Sequence, residues 1–372
     1  MSTARRSRSA AAGASAAVDA LLARRLEANE PFFEREAARI ARVCRELADQ
    51  FGRGGRLLAV GASAQSRSDA RHVAVEFVHP VIVGKRALPA LALSHEDAEL
   101  LRAPDDIVVT FEPLTVGEER FDVLDDDPFV RQELTETLYH VLWELVHVFL
   151  DRRGTASGDA GPAAFLYPFL GPRAGEDDAV LEDVSRSVVA KAREVSALRK
   201  QTLTENAAAL VAAASALRRS LDAGGKLLAF GNGGSATDAM DLVADFRAAP
   251  QGWPSRPALD LTEDSAILTA LANDVGTEVL FQRQVIAYGG EGDVALAIST
   301  SGGSPNIVAA LAEARRRGLV TIALVGYDGG RIATERLADH VVVTRSEHVP
   351  RIQEAQATAY HALRELVEEP PG

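Results

Sequence analysis

RGGRLLAVG, Arg53 to Gly61, returns as AGGKLLAFG, Ala223 to Gly231. In both stretches a short apolar run ends in glycine, the pattern of a buried strand that passes into a tight turn. Three further pairs follow in the same order. DARHVAVEF (Asp69 to Phe77) matches DAMDLVADF (Asp238 to Phe246), and PALALSHED (Pro89 to Asp97) matches PALDLTEDS (Pro257 to Ser265). RQELTETLYHVLWELV (Arg131 to Val146) follows the plan of IQEAQATAYHALRELV (Ile352 to Val367). Four matches in order define a tandem duplication. His72 corresponds to Asp241, an offset of 169, and Gln132 to Gln353, an offset of 221, so the first copy is 52 residues shorter between those points (221 − 169).

The wider composition agrees with packed globular protein. The chain has 372 residues, 47% hydrophobic and 25% charged, enough for two ordinary domains. No run of 18 apolar residues occurs, so no membrane span is expected. Cys44 is the sole cysteine, which excludes a disulfide framework and a CxxC zinc site; it reads as a small buried apolar residue. A net charge of −13 without long basic tracts argues against nucleic acid as partner. The Arg-bearing residues 1–17 lack the apolar stretch of a signal peptide. They are expected to form a disordered tail, and the protein is expected in the cytoplasm.

Residues 18–50 and 179–222 carry helical spacing. In the second copy strands are expected at 257–261, 294–298, 319–325 and 340–344, with helices near 278–287, 305–317 and 350–368. Such alternation predicts α/β architecture: two units, each a doubly wound parallel sheet flanked by helices in three layers, the first shortened and divergent. The expected organisation is a divergent domain at 18–152 that lacks phosphate loops, a linker at 153–178, and a complete domain at 179–372.

Two loops of the second copy carry chemistry. GNGGS, Gly231 to Ser235, lies between a strand and a helix, where glycines let backbone N–H groups approach an anion and the helix N-terminus favours negative charge. A purely steric role for those glycines is the alternative. The second loop, STSGGS at Ser299 to Ser304, gathers four hydroxyls and two glycines ahead of Pro305. A helix cap needs only one such residue, so the set points to a phosphate cradle. No GK[ST] follows, so no nucleotide cofactor is expected.

GNGGSATDA, LANDVG, GDVALAISTSGGSPN, GYDGGRIA and RIQEAQATAYH resemble the sugar isomerase (SIS) domain, and within it the phosphoheptose isomerases, over residues 179–368. The resemblance implies two SIS-type units and a small-molecule sugar phosphate as substrate. Phosphate would be held by Gly233, Ser235, Ser299, Thr300, Ser301 and Ser304, with Asn232, Asp274 and Gln353 lining the sugar site. It further implies a divalent metal, zinc in first place, held by His and Glu four apart on one helix and by Gln and His eight apart on another. The Glu serves as base and the last His as acid. The activity implied is aldose–ketose isomerisation of sedoheptulose 7-phosphate. Four SIS units make the family's assembly, which for a tandem chain implies a homodimer.

The pattern is divided between the copies. The second has Asp241 and Asp245 in place of His and Glu but keeps Gln353 and His361. The first keeps His72, Glu76, Gln132 and His140 but has GASAQS and VVTFEPL where the loops should be. Gln132 and His140 lie about 12 Å apart along a helix, which raises the prospect of one composite site fed by both copies. Catalytic candidates are then Glu76 or Asp245 as base and His361 or His140 as acid. The alternatives are that His72 and Glu76 are relics, or that the chain binds sugar phosphate without turning it over.

Overall fold

The computed structural model describes residues 2–80, 85–123, 125–154 and 177–368. The expected linker, with its FLYPFL segment, lies almost wholly outside the described residues. The chain forms two units: residues 26–196 make the N-terminal unit, and residues 1–25 with 197–372 make the C-terminal unit.

The C-terminal unit is built on five strands: β6 (Leu227–Phe230), β7 (Ala258–Asp260), β8 (Val294–Ser299), β9 (Val320–Gly326) and β10 (His340–Thr344). Their order is β10-β9-β8-β6-β7, parallel throughout. Leu228, Phe230, Ala295, Ala297, Ala323 and Val325 pack with Phe281, Val285, Ile307 and Leu311. These partners come from α8 (Leu280–Tyr288) and α9 (Pro305–Arg316). The alternating residues Leu227, Ala229, Leu296, Ile298, Ile322 and Leu324 are equally buried. Side chains alternate between sheet faces, so both faces are covered, which is why these strands read as unbroken apolar runs. On the second face α6 (Gly234–Arg247) packs against α11 (Val349–Glu368). The expected strands and helices of this unit are all present. A helix at α7 (Ser265–Asp274) and a short α10 (Gly330–Thr334) are added to them.

The N-terminal unit starts from the same register. Strand β1 (Leu57–Val60) pairs in parallel with β2 (Ala90–Leu93) and β3 (Ile107–Phe111). Beyond β3 it departs from the expected parallel sheet. Strands β4 (Leu114–Val116) and β5 (Glu119–Arg120) return as an antiparallel meander. Where the second copy spends two βα crossovers on β9 and β10, the first, 52 residues shorter, closes its sheet with hairpins. A parallel neighbour needs a crossover of a dozen or more residues, whereas a hairpin needs only a few. Helix α2 (Ala64–Val78) packs on α4 (Pro128–Gly154), as α6 packs on α11. An ion pair marks the same spot in both copies. Asp106 accepts from the Arg56 backbone and guanidinium (2.8 and 2.6 Å), and Asp293 from the Lys226 backbone and ammonium (2.9 and 2.6 Å).

The expected boundaries at 152 and 179 are not where the units divide. Helix α1 spans Ser2–Gly52 and includes the residues taken as a tail; α5 spans Asp177–Asp222. Each is shared. Val180, Val184, Val188 and Ala192 of α5 belong to the N-terminal core, with Phe33, Ile40 and Leu47 of α1. Asn29 of α1 donates to the Ala192 carbonyl at 2.8 Å. The start of α1 goes the other way: Arg24 and Arg25 both pair with Glu365 of α11, Arg25 at 2.7 Å with its guanidinium fully buried. The copies have thus exchanged the leading ends of their first helices.

Candidate active site

The two hydroxyl- and glycine-rich loops of the C-terminal unit follow the C-terminal ends of β6 and β8, which are adjacent strands. Each loop opens a helix whose N-cap residue makes no side-chain cap bond. Gly233 is the N-cap of α6 with φ 57°, and Ser304 is the N-cap of α9, its hydroxyl making no cap bond. The positive end of a helix favours an anion, although the N–H groups of Ser235, Ala236 and Ile307 are already bonded to Asn232, Gly233 and Asn306. The loops are tied to each other. Asn232 donates to Asn306 Oδ1 at 3.0 Å, and Asn306 donates to Asn232 Oδ1 at 2.8 Å. Ser299 is buried and accepts from the Gly302 N–H at 3.1 Å, which shapes the turn through Thr300 and Ser301. Gly302 has φ 60°, and a Cβ there would lie 2.3 Å from the Gly329 carbonyl. Only glycine lets the two backbones meet so closely. Ser235 is buried in the first turn of α6, while Ser301 is exposed. Asp274 ends α7 on an exposed face and accepts from its neighbour Asn273 at 2.7 Å.

Helix α6 runs from the first loop to the second element of the site. Asp241 and Asp245, one turn apart on its buried face, meet His361 of α11. His361 Nε2 lies 3.4 Å from Asp241 Oδ2 and 3.5 Å from Asp245 Oδ2. Tyr360 donates to Asp241 Oδ2 at 2.8 Å. Gln353 is buried on the same helix, eight residues before His361. Arg364 is held below its usual basicity by burial, stacked against Phe246 and Trp253, and donates to the Asp245 carbonyl at 3.2 Å.

The N-terminal unit repeats the arrangement. His72 and Glu76 of α2 meet His140 of α4: the two imidazole Nε2 atoms are 3.3 Å apart, and His72 Nε2 is 3.9 Å from Glu76 Oε1. All three residues are buried. Burial first, and the neighbouring His140 second, hold His72 well below the usual imidazole range, which favours the neutral ring a metal ion requires. Gln132 precedes His140 on α4 by eight residues.

The ligand-type atoms of His72, Glu76 and His140 lie within 4.8 Å of one another, as do those of Asp241, Asp245 and His361. A four-coordinate ion with bonds of about 2.0–2.2 Å holds its ligand atoms about 3.3–3.6 Å apart. The spacings of 3.4 and 3.5 Å around His361 match that edge; in the other set the 3.3 Å between imidazoles matches it and the 3.9 Å from His72 to Glu76 is wider, and both sets offer the donor types a divalent cation takes. The donors differ: two imidazoles and a carboxylate in one, two carboxylates and an imidazole in the other.

Cys44 is buried and its thiol is pushed up by burial, as expected of a packing residue. Of the remaining histidines, His147 donates to the Trp143 carbonyl at 2.8 Å and His95 lies 3.4 Å from Glu99. Among the described residues no helix is long and apolar enough to cross a membrane.

Sequence reasoning missed Asn306 and Tyr360 as site residues. Both stand inside the motifs that carry the resemblance, SPN and AYH. The signal was a polar residue at the second helical position after an uncapped turn, and a Tyr beside the trio's His.

Fold and site together define a duplicated α/β protein with a pair of hydroxyl- and glycine-rich loops in one unit and buried His–carboxylate groups in both. The SIS domain model matches residues 192–326. The phosphoheptose isomerase of Solidesulfovibrio magneticus is 42% identical over 188 residues, half of this chain and 91% of that protein. That of Thermodesulfovibrio yellowstonii is 41% identical over 173 residues, 46% of this chain and 85% of its own. The C-terminal domain of glucosamine-fructose-6-phosphate aminotransferase from Francisella tularensis has a TM-score of 0.59 at 9% identity, over 93% of this chain and 95% of that one. Its likeness is one of fold, and it extends across both units. The chain belongs to the SIS domain family.

Proposed function

We propose that the protein is a sugar-phosphate aldose–ketose isomerase that interconverts sedoheptulose 7-phosphate and glycero-manno-heptose 7-phosphate. The observation that carries this is a pair of loops at adjacent helix N-termini, tied by Asn232 and Asn306, in the same unit as Asp241, Asp245 and His361. The relatives that match about half of the chain at 41–42% identity are phosphoheptose isomerases.

In this reading Ser235, Ser299, Thr300, Ser301 and Ser304, with the N–H groups at Gly233 and beyond, hold the phosphate. Helix α6 then works as a ruler. From Ser235 to Asp241 and Asp245 it advances about 9 and 15 Å at 1.5 Å per residue, the scale of an extended sugar phosphate. The far end, C1 and C2, is thereby brought toward the trio. Asp245 takes the proton from one carbon and returns it to the other, and His361 serves the carbonyl and hydroxyl oxygens. Asp241, Asp245, Gln353 and His361 would hold a divalent cation, which when bound polarises the carbonyl. His72, Glu76, Gln132 and His140 would hold one in the N-terminal unit, the donor set that favours zinc. Two tandem chains, a homodimer, would provide four units.

A second reading has a specific basis. Asp241 and Asp245 shorten the side chains that the resemblance expects as His and Glu, and a base displaced by about 1 Å can lose on the order of 10²-fold in rate. Binding without turnover is the result if no other group compensates. Incubation with sedoheptulose 7-phosphate, followed by NMR at the anomeric carbon with and without zinc or a chelator, separates the two. Chelator-sensitive turnover supports the isomerase, and a ligand-induced thermal shift without turnover supports the binding protein.

A further inference from the structure

The N-terminal unit has not simply lost its anion site. Gly61 and Gly231 stand in the same relation to the residues that follow: a Cβ on either would lie 2.1 Å from a serine carbonyl, Ser66 in one and Ser235 in the other. Ser66 is therefore the structural counterpart of Ser235. The strand register gives the second correspondence. Leu57 pairs with Ile107 and Leu227 with Val294, and five residues beyond those partners stand Glu112 and Ser299. A carboxylate thus occupies the place of a cradle serine.

That carboxylate is bound as an anion would be. Ser63 Oγ donates to Glu112 Oε1 at 2.8 Å, and Ser66 Oγ reaches Glu112 Oε2 at 3.4 Å. The serines sit at the N-terminus of the 15-residue α2, where Ser63 and Ser66 also close a reciprocal capping box, each accepting the other's backbone N–H at 3.0 and 2.9 Å. The corresponding helix of the C-terminal unit, α6, has no side-chain cap. One copy leaves its helix terminus open, while the other seals it with two hydroxyls and its own negative charge.

We propose that Glu112 is a specificity-determining residue, a resident carboxylate that holds the anion locus of the N-terminal unit and rejects phosphate there. A phosphate dianion entering would meet the Glu112 charge and find both hydroxyls committed. The chain then takes one sugar phosphate, in the C-terminal unit. This extends the function proposed above and rests on its phosphate cradle for the second count only.

Equilibrium dialysis of the full chain with radiolabelled inorganic phosphate tests it, with thermal melts to verify folding. The native chain is expected to bind one phosphate, and Glu112→Ser two, with the new site at least about tenfold tighter than in the native chain. Glu112→Ala, at the same exposed position, carries the test should the serine variant misfold. Two phosphates on the native chain, or no gain in either folded variant, would overturn the proposal. No phosphate on the native chain but one on Glu112→Ser would support Glu112 as the plug and sink the cradle at 231–235 and 299–304.

Discussion

Replacing Asn306 by alanine tests whether loops 231–235 and 299–304 act as one cradle. The change deletes two reciprocal bonds to Asn232, at 3.0 and 2.8 Å, and the acceptor for the Ile307 N–H at 3.0 Å. Neutral bonds of this kind contribute about 1 kcal/mol each. Asn232 is exposed, so water replaces part of what it loses, and about 1–2 kcal/mol remains as the cost of letting the loops separate. If the pair preorganises the cradle, that cost appears in binding, and sugar-phosphate affinity should fall about 10-fold. Asn306→Asp sharpens the test. It keeps the acceptors and nearly the same shape but brings a negative charge to the phosphate locus. Its affinity should fall further than that of the alanine variant, and the extra loss should shrink as salt rises from about 0.01 to 0.15 M. Calorimetric titration with sedoheptulose 7-phosphate reads both variants. Unchanged affinity in a folded Asn306→Ala protein would refute the reasoning, because the tie would then be irrelevant to the anion.

Three other outcomes are expected. Joint substitution Asp241→His and Asp245→Glu should raise isomerase turnover by on the order of 10², measured by NMR; no gain in a protein that melts like the native one would count against Asp245 as the base. His140→Ala should lower the metal content by one ion per chain without altering phosphate binding, as read by elemental analysis after dialysis, and an unchanged metal count would remove the N-terminal centre. Asp106 is held at about 2, chiefly by its hydrogen bonds from Arg56. A lowered carboxylate pKa stabilises above its unfolded value and loses that contribution as pH falls from about 4 through about 2. Arg56 is partly exposed, so solvent screens the pair and lowers its net contribution. Asp106→Asn should therefore cost on the order of 1 kcal/mol at pH 6, and the difference from native should close near pH 2 in parallel melts.

Much of this architecture is written locally. The runs LLAV and LLAF, the glycines after them and the period of α11 are decided by neighbours in sequence, so the order of strands in the C-terminal unit was legible. The hydroxyls of STSGGS also announced themselves. The meander β3–β4–β5 was less so: the missing 52 residues showed that something had been replaced but not by what, although Pro113 and Gly117 were turn signals. The trios were readable in composition and not in closure. Their closure depends on the packing of α2 on α4 and of α6 on α11, which no local pattern in the sequence announces. The exchange of helix ends left no local trace. Val18 and Leu22 are as apolar as any lead-in helix, and only Glu365, some 340 residues away, shows which unit takes Arg25.

That exchange constrains how the chain is made. Residues 26–196 leave the ribosome as one block and contain everything their unit needs. The C-terminal unit includes residues 1–25, which are made well before α11 and must wait for it before Arg24 and Arg25 meet Glu365. The C-terminal unit therefore cannot be released as a contiguous fragment with its full set of contacts. A gene split anywhere between the repeats would leave the second product without residues 1–25, and with them the Arg24 and Arg25 pairing to Glu365.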